Sequence, residues 1–311
     1  MRVLIVTAVA AERDAVVRGV GATAPELAEL PVPGGMLHRL SPAPPTGPPL
    51  TVDVLAAGVG PAAAAAGTAA ALTAAAVART PYDLAVSAGI GGGFSTRPAV
   101  TAPAVAAPEA AGSEAARLGA EGPEAAGTGS VGPEAAAPGS AGPVATATAR
   151  PTTPAPATAH LGSVVVADAI VAADLGAETP DGFAAVTDLG FGTVEHLPPA
   201  PLVAAVAEAT DAVRGTVLTV STVTGSAERA AELLRRHPRA VAEAMEGFGV
   251  AEAAAAQSVP ALEVRTVSNA VGPRDRAAWR IGEALEALTG AFATIAPLLG
   301  TWTFDPEGTR Q

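Results

Sequence analysis

Short β-branched runs alternate with alanine-rich stretches along most of this chain, and that alternation restricts the fold more than any other feature. Val3–Val6 reads as a buried strand and Ala11–Val20 as the helix after it. Met36–Leu40 and Thr51–Leu55 read as strands across the proline-rich turn Ser41–Pro49. Pro61–Val77 reads as a helix, with its proline in the first turn where no N–H is needed. Leu84–Val86 is a further strand, running into a glycine-rich turn. Later in the chain, Ser163–Ala167, Thr216–Val220, Val241–Ala244 and Leu262–Val267 read as strands. Pro201–Val213, Ala227–Arg236, Gly247–Gln257 and Asp275–Leu299 read as helices. This order predicts a single α/β domain with a central mixed sheet flanked by helices.

One segment breaks the alternation. From Thr96 to Ala159 the chain is built of Ala, Pro, Gly, Thr and Ser, with no sustained apolar period. Such a stretch buries too little surface to offset its ordering entropy, so 96–159 is expected to be a disordered insertion within a domain spanning 1–311. Elsewhere there is ample core material: 49% of residues are apolar, but with only 3% aromatic the core must be Ala, Val and Leu.

Composition also closes off several chemistries. The 311 residues contain no cysteine and no lysine, which excludes disulfides, thiolate metal sites, and cysteine or Schiff-base lysine nucleophiles. The four histidines are widely separated, and no metal or cofactor is expected. A formal net charge of -12 argues against nucleic acid or an anionic membrane as partner. The N-terminal apolar run is short and meets Glu12, so it reads as a strand, not a signal peptide. The other apolar stretches are broken by Gly, Pro or Thr, so no membrane span is expected and a cytoplasmic location is the default.

In open α/β sheets ligands bind beyond the carboxyl ends of the strands. Applied here, that rule selects Glu12, Glu246 and Asn269. Each has two readings. Glu12 and Glu246 open helices, where an acid stabilises the positive helix end by a few tenths to ~1 kcal/mol. Alternatively Glu12 is a general base aimed into the cleft, and Glu246 accepts hydrogen bonds from two adjacent ribose hydroxyls. Asn269 is either a turn residue bonded to its own backbone or a reader of a ligand edge. The runs Gly58–Gly60 and Gly89–Gly93 are tight turns or places where a ligand approaches the backbone; neither has Walker or dinucleotide spacing.

Five segments together resemble the nucleoside phosphorylase superfamily. They are Ala-Val-Ala-Ala-Glu12, Ala-Gly-Val-Gly60, Ser-Ala-Gly-Ile-Gly-Gly-Gly93, Ala-Met-Glu246-Gly-Phe-Gly-Val-Ala and Val-Arg-Thr-Val-Ser-Asn269. The resemblance spans the chain outside 96–159, and is strongest to the hydrolytic branch that includes methylthioadenosine/S-adenosylhomocysteine nucleosidase. It implies that Glu12 activates the attacking water and that Glu246 binds the ribose hydroxyls. It also places Met245, Ser87, Gly89 and Phe248 among the substrate-binding residues. The position matching Asn269 is an aspartate that recognises adenine in that branch. A carboxamide offers both a donor and an acceptor, which suits a 6-oxopurine, and an unpaired polar group there would cost roughly 1–3 kcal/mol.

Two further segments are similar to futalosine hydrolases: Ser-Asn-Ala-Val-Gly-Pro-Arg-Asp-Arg-Ala-Ala-Trp279-Arg-Ile and Ala-Ala-Asp-Leu-Gly-Ala-Glu178-Thr-Pro-Asp-Gly-Phe183. Membership implies release of hypoxanthine from futalosine, leaving dehypoxanthine futalosine, in menaquinone biosynthesis. It also implies a homo-oligomer in which a neighbour completes the 5′ pocket. Futalosine carries a carboxyphenyl ketone on its 5′ side; Arg274, Arg276 or Arg280 could meet that carboxylate, or all three are solvated helix arginines. Trp279 either packs in the core or touches ligand. Val223 stands about where adenosine-type enzymes carry an aromatic, which leaves Phe248 or Phe191 as stacking candidates. Two rival functions remain: a phosphorylase acting on inosine or guanosine, which would need arginines converging on phosphate, and a nucleoside-binding protein without catalysis.

Overall fold

The computed structural model describes residues 1–22, 26–42, 49–94 and 158–302, all of which fall in one compact unit. The expected disorder of 96–157 lies outside the described residues. The last residue of that segment, Ala159, is packed into the core: it is fully buried, and its carbonyl lies against Gly93.

The chain opens with β1 (Arg2–Thr7), α1 (Ala10–Gly21), β2 (Leu27–Val32), β3 (Gly35–Leu40) and β4 (Thr51–Ala56). It continues through α2 (Pro61–Val77), β5 (Leu84–Gly93), β6 (Val164–Ala172) and a small hairpin, β7 (Gly176–Thr179) and β8 (Gly182–Ala185). Then come the two-residue β9 (Glu195–His196), α3 (Ala200–Thr210), β10 (Val213–Thr219), α4 (Ala227–Arg236) and β11 (Ala240–Ala244). The described chain closes with α5 (Gly247–Ala255), β12 (Ala261–Ala270) and α6 (Ile281–Thr301).

The main sheet runs β11-β10-β6-β12-β5-β1-β4-β3-β2, with β9 added beside β6. It is mixed: β1 lies parallel between β4 and β5, while β12 is parallel to β5 and antiparallel to β6. β11 also pairs antiparallel with the end of β5, so β11, β10, β6, β12 and β5 close on themselves. α1, α3 and α6 cover one face, where Val16, Val203, Leu288 and Phe292 join the strand valines in the largest core cluster. α2 and α5 cover the other, around Leu4, Val6, Leu72 and Val250.

Local signals account for most of the boundaries. Pro61 starts α2 behind Gly60, whose φ of 94° suits a residue without Cβ. Ser226 caps α4 by accepting from the Arg229 N–H at 3.2 Å, with Glu228 in the first turn and Arg235 and Arg236 in the last. α6 is long and apolar enough to cross a membrane by composition, but its stripe Ala284, Leu288, Phe292, Ile295 and Leu299 is buried in the core.

Four expectations are corrected. β5 runs through Gly89–Gly93 instead of ending at Val86, because β11 and β12 both pair with those glycines. Likewise, β12 runs on to Ala270 instead of ending at Val267. The last helix begins at Ile281, not Asp275: Asp275 caps a short 3-10 turn at Arg276–Ala278, and the Arg280 N–H turns back to the Ser268 carbonyl at 2.8 Å. Finally, α3 stops at Thr210 because Asp211 takes a left-handed conformation (φ 50°).

Helix α1 packs close to α6 at Gly19, where an added Cβ would fall 2.4 Å from the Thr289 carbonyl oxygen. Gly290, exposed within α6, has nothing near it. Gly19→Ala should therefore destabilise by about 1–3 kcal/mol, whereas Gly290→Ala should stabilise by about 0.5–1 kcal/mol. Urea unfolding should move the two midpoints in opposite directions; parallel shifts would contradict the packing described.

Candidate active site

At the carboxyl ends of the central strands lies a cavity of about 390 Å³. Its floor is the glycine run of β5, and its walls come from the ends of β1, β11 and β12. Behind the floor sits the most unusual side chain in the molecule, the fully buried Arg265 of β12. Its Nε donates to Glu263 Oε1 at 2.8 Å, Nη1 to Glu246 Oε2 at 3.1 Å, and Nη2 to Ser87 Oγ at 2.8 Å. Burial alone would favour its neutral form, but Glu263, Glu246 and Glu12 outweigh that and hold its pKa above the ordinary arginine value.

Glu12 completes the cluster. One carboxylate oxygen accepts from the Ala8 and Val9 N–H groups at 3.0 and 3.2 Å, and the other accepts from Ile90 N–H at 2.9 Å. The side chain thus caps the start of α1 and faces the cavity at once. Burial raises its pKa above the usual carboxylate value, although Arg265 and the Ile90 bond pull the other way. Gly89 makes the arrangement possible: a Cβ there would fall 2.6 Å from Glu12 Oε1 and 2.8 Å from Arg265 Nη1.

Glu246, at the junction of β11 and α5, is 5% exposed and accepts from the Gly60 N–H at 3.2 Å in addition to Arg265. Asn269 pairs in register with Gly92. The Ser268 hydroxyl shares its one proton between Asn269 Oδ1 (2.9 Å) and the Gly91 carbonyl (3.2 Å), while Asn269 Nδ2 donates to the Ala270 carbonyl at 3.0 Å. One amide N–H and one lone-pair position of Asn269 remain for a ligand.

The cavity therefore gathers Glu12, Met245, Glu246 and Asn269. Ser87 and Gly89 do not line it; they stand behind the floor and hold or accommodate Arg265. Phe248 faces a separate cavity of about 260 Å³ beside Asp174 and Glu252, and its ring lies 5.2 Å from that of His196. Phe191 is 69% exposed and lines neither space. Trp279, in contrast, lines the main cavity with Arg274, whose guanidinium stands 5.2 Å from the indole centroid. Arg276 and Arg280 do not reach the cavity wall. Among the described residues, no cluster of His, Asp or Glu could hold a metal ion.

No family model matches the chain. The futalosine hydrolase of Streptomyces coelicolor is 56% identical to it, over 97% of this chain and 98% of that protein. The chain belongs to the futalosine hydrolase family. The futalosine hydrolase of Acidothermus cellulolyticus is 46% identical over 48% of this chain and 62% of its own length. Two solved structures share the fold at low identity. One is the methylthioadenosine/S-adenosylhomocysteine nucleosidase of Neisseria meningitidis in complex with methylthio-immucillin-A (TM-score 0.62, 14% identity, 97% of this chain and 99% of that one). The other is a futalosine hydrolase mutant of Helicobacter pylori (TM-score 0.60, 15% identity, 96% and 98%).

For this futalosine hydrolase family member, the sequence reading missed Arg265, Glu263, Glu243 and Thr224. A signal for the first two was present: Glu263 and Arg265 stand two apart in an apolar strand, so they share one face as an opposite-charge pair. Arg265→Met would leave buried acids without their cation and should cost about 3–5 kcal/mol of stability. The folded-state pKa values of Glu12 and Glu263, already raised by burial, would then rise further above their unfolded values. Stability is lost as pH passes from the unfolded to the folded value, so the deficit should be larger at pH 8 than at pH 5. Denaturant unfolding at both pH values checks this; an equal deficit would remove Arg265 from the charge cluster's centre.

Proposed function

We propose that this chain hydrolyses the N-glycosidic bond of futalosine, releasing hypoxanthine and dehypoxanthine futalosine, as a step of menaquinone biosynthesis. The observation that carries the reading is the joint placement of Glu12, Glu246 and Asn269 on one cavity, with the two acids organised around Arg265. The 56% identity to the Streptomyces coelicolor futalosine hydrolase supports the substrate.

Glu12 takes a proton from water as the water oxygen bonds to the anomeric carbon and the carbon–nitrogen bond breaks. A base pKa lifted by burial suits that task near neutral pH. Glu246 accepts from the ribose hydroxyls and favours the positive charge that develops on the sugar. Asn269 donates its spare amide N–H to the departing hypoxanthine. An amide cannot give up a proton, so the base takes its proton from solvent and Glu12 returns its own there. Trp279 lies along the carboxyphenyl group, and Arg274 meets its carboxylate. Val9 and Val59, exposed at the cavity rim, are apolar surface that a second copy would cover in a homo-oligomer.

The phosphorylase alternative fits less well. Among the described residues, Arg274 is the cavity's one arginine, and Arg265 is committed to carboxylates. A phosphate dianion beside Glu12 and Glu246 would meet two like charges.

Three outcomes test the reading. Hypoxanthine release should proceed at the same rate with and without phosphate; strict phosphate dependence would establish the phosphorylase. Glu12→Gln should bind futalosine but turn over at least about 100-fold more slowly, with unchanged turnover contradicting its role. Arg274→Ala should raise KM about 10-fold or more, with kcat little changed, because it removes a charge-assisted contact; an unchanged KM would place the substrate carboxylate elsewhere.

A further inference from the structure

Glu243 is a buried acid that the reaction above does not use. It lines the main cavity, is 5% exposed, and among the described residues makes no ion pair. Its partners are both on Thr224: the backbone N–H donates to Oε1 at 2.8 Å, and the hydroxyl makes a short bond to Oε2. Each carboxylate oxygen keeps a lone-pair position free. Arg229 acts on Glu243 only at longer range, against Asp174; a buried carboxylate with no cation in contact is costly, and such groups are enriched where a ligand supplies the missing partner.

The sheet register shows where that ligand would lie. Glu243 of β11 and Asn269 of β12 both pair with Gly92 of β5, one from each side. Neighbouring strands lie ~4.8 Å apart, so the two backbones stand roughly 10 Å from each other across a residue with no side chain. A flat ring seated over Gly92 would present one edge to Asn269 and the opposite edge to Glu243.

We propose that Glu243, held by Thr224, accepts the N1–H of the 6-oxopurine base and is the residue that rejects 6-aminopurines. A 6-oxopurine carries a proton on N1, which an ionised carboxylate bonds strongly. A 6-aminopurine carries a lone pair there, which the same carboxylate repels. Asn269 then serves the N7 and O6 edge, so the two residues divide the base between them. This rests on the futalosine reading and sharpens it.

The test compares futalosine with its 6-amino counterpart, in which the 6-oxo group is replaced by an amine. In Glu243→Gln the Thr224 N–H holds the amide oxygen inward, which turns the NH2 group toward the base. Its kcat/KM for futalosine should fall about 10- to 100-fold, while that for the 6-amino substrate stays level or rises. Thr224→Val, which removes one bond and leaves the carboxylate, should shift the same ratio less. An equal fall for both substrates in both variants would overturn the assignment. Calorimetric binding of free hypoxanthine and adenine supplies a readout without turnover. If the wild-type protein fails to cleave futalosine yet prefers hypoxanthine through Glu243, the proposed reaction fails and the base reader stands. If futalosine is cleaved and Glu243→Gln leaves the hypoxanthine-over-adenine preference unchanged, the base reader fails alone.

Discussion

A single buried guanidinium ties this site together. Arg265 bonds Glu246 and Glu263, donates to Ser87, and stands close enough to Glu12 that both crowd the missing side chain of Gly89. Burying such a group gains little stability by itself, since the cost of desolvation offsets much of the attraction. What it provides is position. The acid that would clamp the ribose and the acid that would activate water are referenced to the same cation, so their separation is fixed by the strand that carries it.

The glycines of β5 are the counterpart of that charge. A residue with Cβ at 89 would strike Glu12 and Arg265, one at 91 would strike the Glu243 carbonyl oxygen at 2.8 Å, and one at 92 would strike Val271 at 2.8 Å. A strand stripped of side chains is a poor strand by propensity. Here it is held by neighbours on both sides, and the space it leaves is the cavity floor. Packing and site formation are thus one constraint: the ring of strands closes through the same glycines over which the ligand would lie.

Much of this was legible in the sequence. The helix starts at Pro61 and Ala227 carry strong local signals, and both helices run as expected from their residues. Glu12 and Glu246 follow strand ends, and the same rule selects Asn269 although β12 runs one residue past it. Harder features depend on partners distant in sequence. The run through Gly89–Gly93 reads as a turn because glycine disfavours strands, and only pairing with β11 and β12 overrides that. β2 carries Pro31, which weakens its strand signal, yet at the sheet edge a proline is tolerated. The family resemblance places Ser87 among the substrate-binding residues, but its hydroxyl serves Arg265. Glu243 sits in a short apolar run, and nothing local distinguishes an acid facing a cavity from one facing solvent.

The most direct test is a crystal structure of the Glu12→Gln variant soaked with futalosine. The account predicts intact substrate in the cavity, with the ribose hydroxyls on Glu246, the hypoxanthine ring over Gly92 between Asn269 and Glu243, and the carboxyphenyl group toward Trp279 and Arg274. A ribose turned away from Glu246, or substrate bound in the separate cavity beside Phe248, would contradict it.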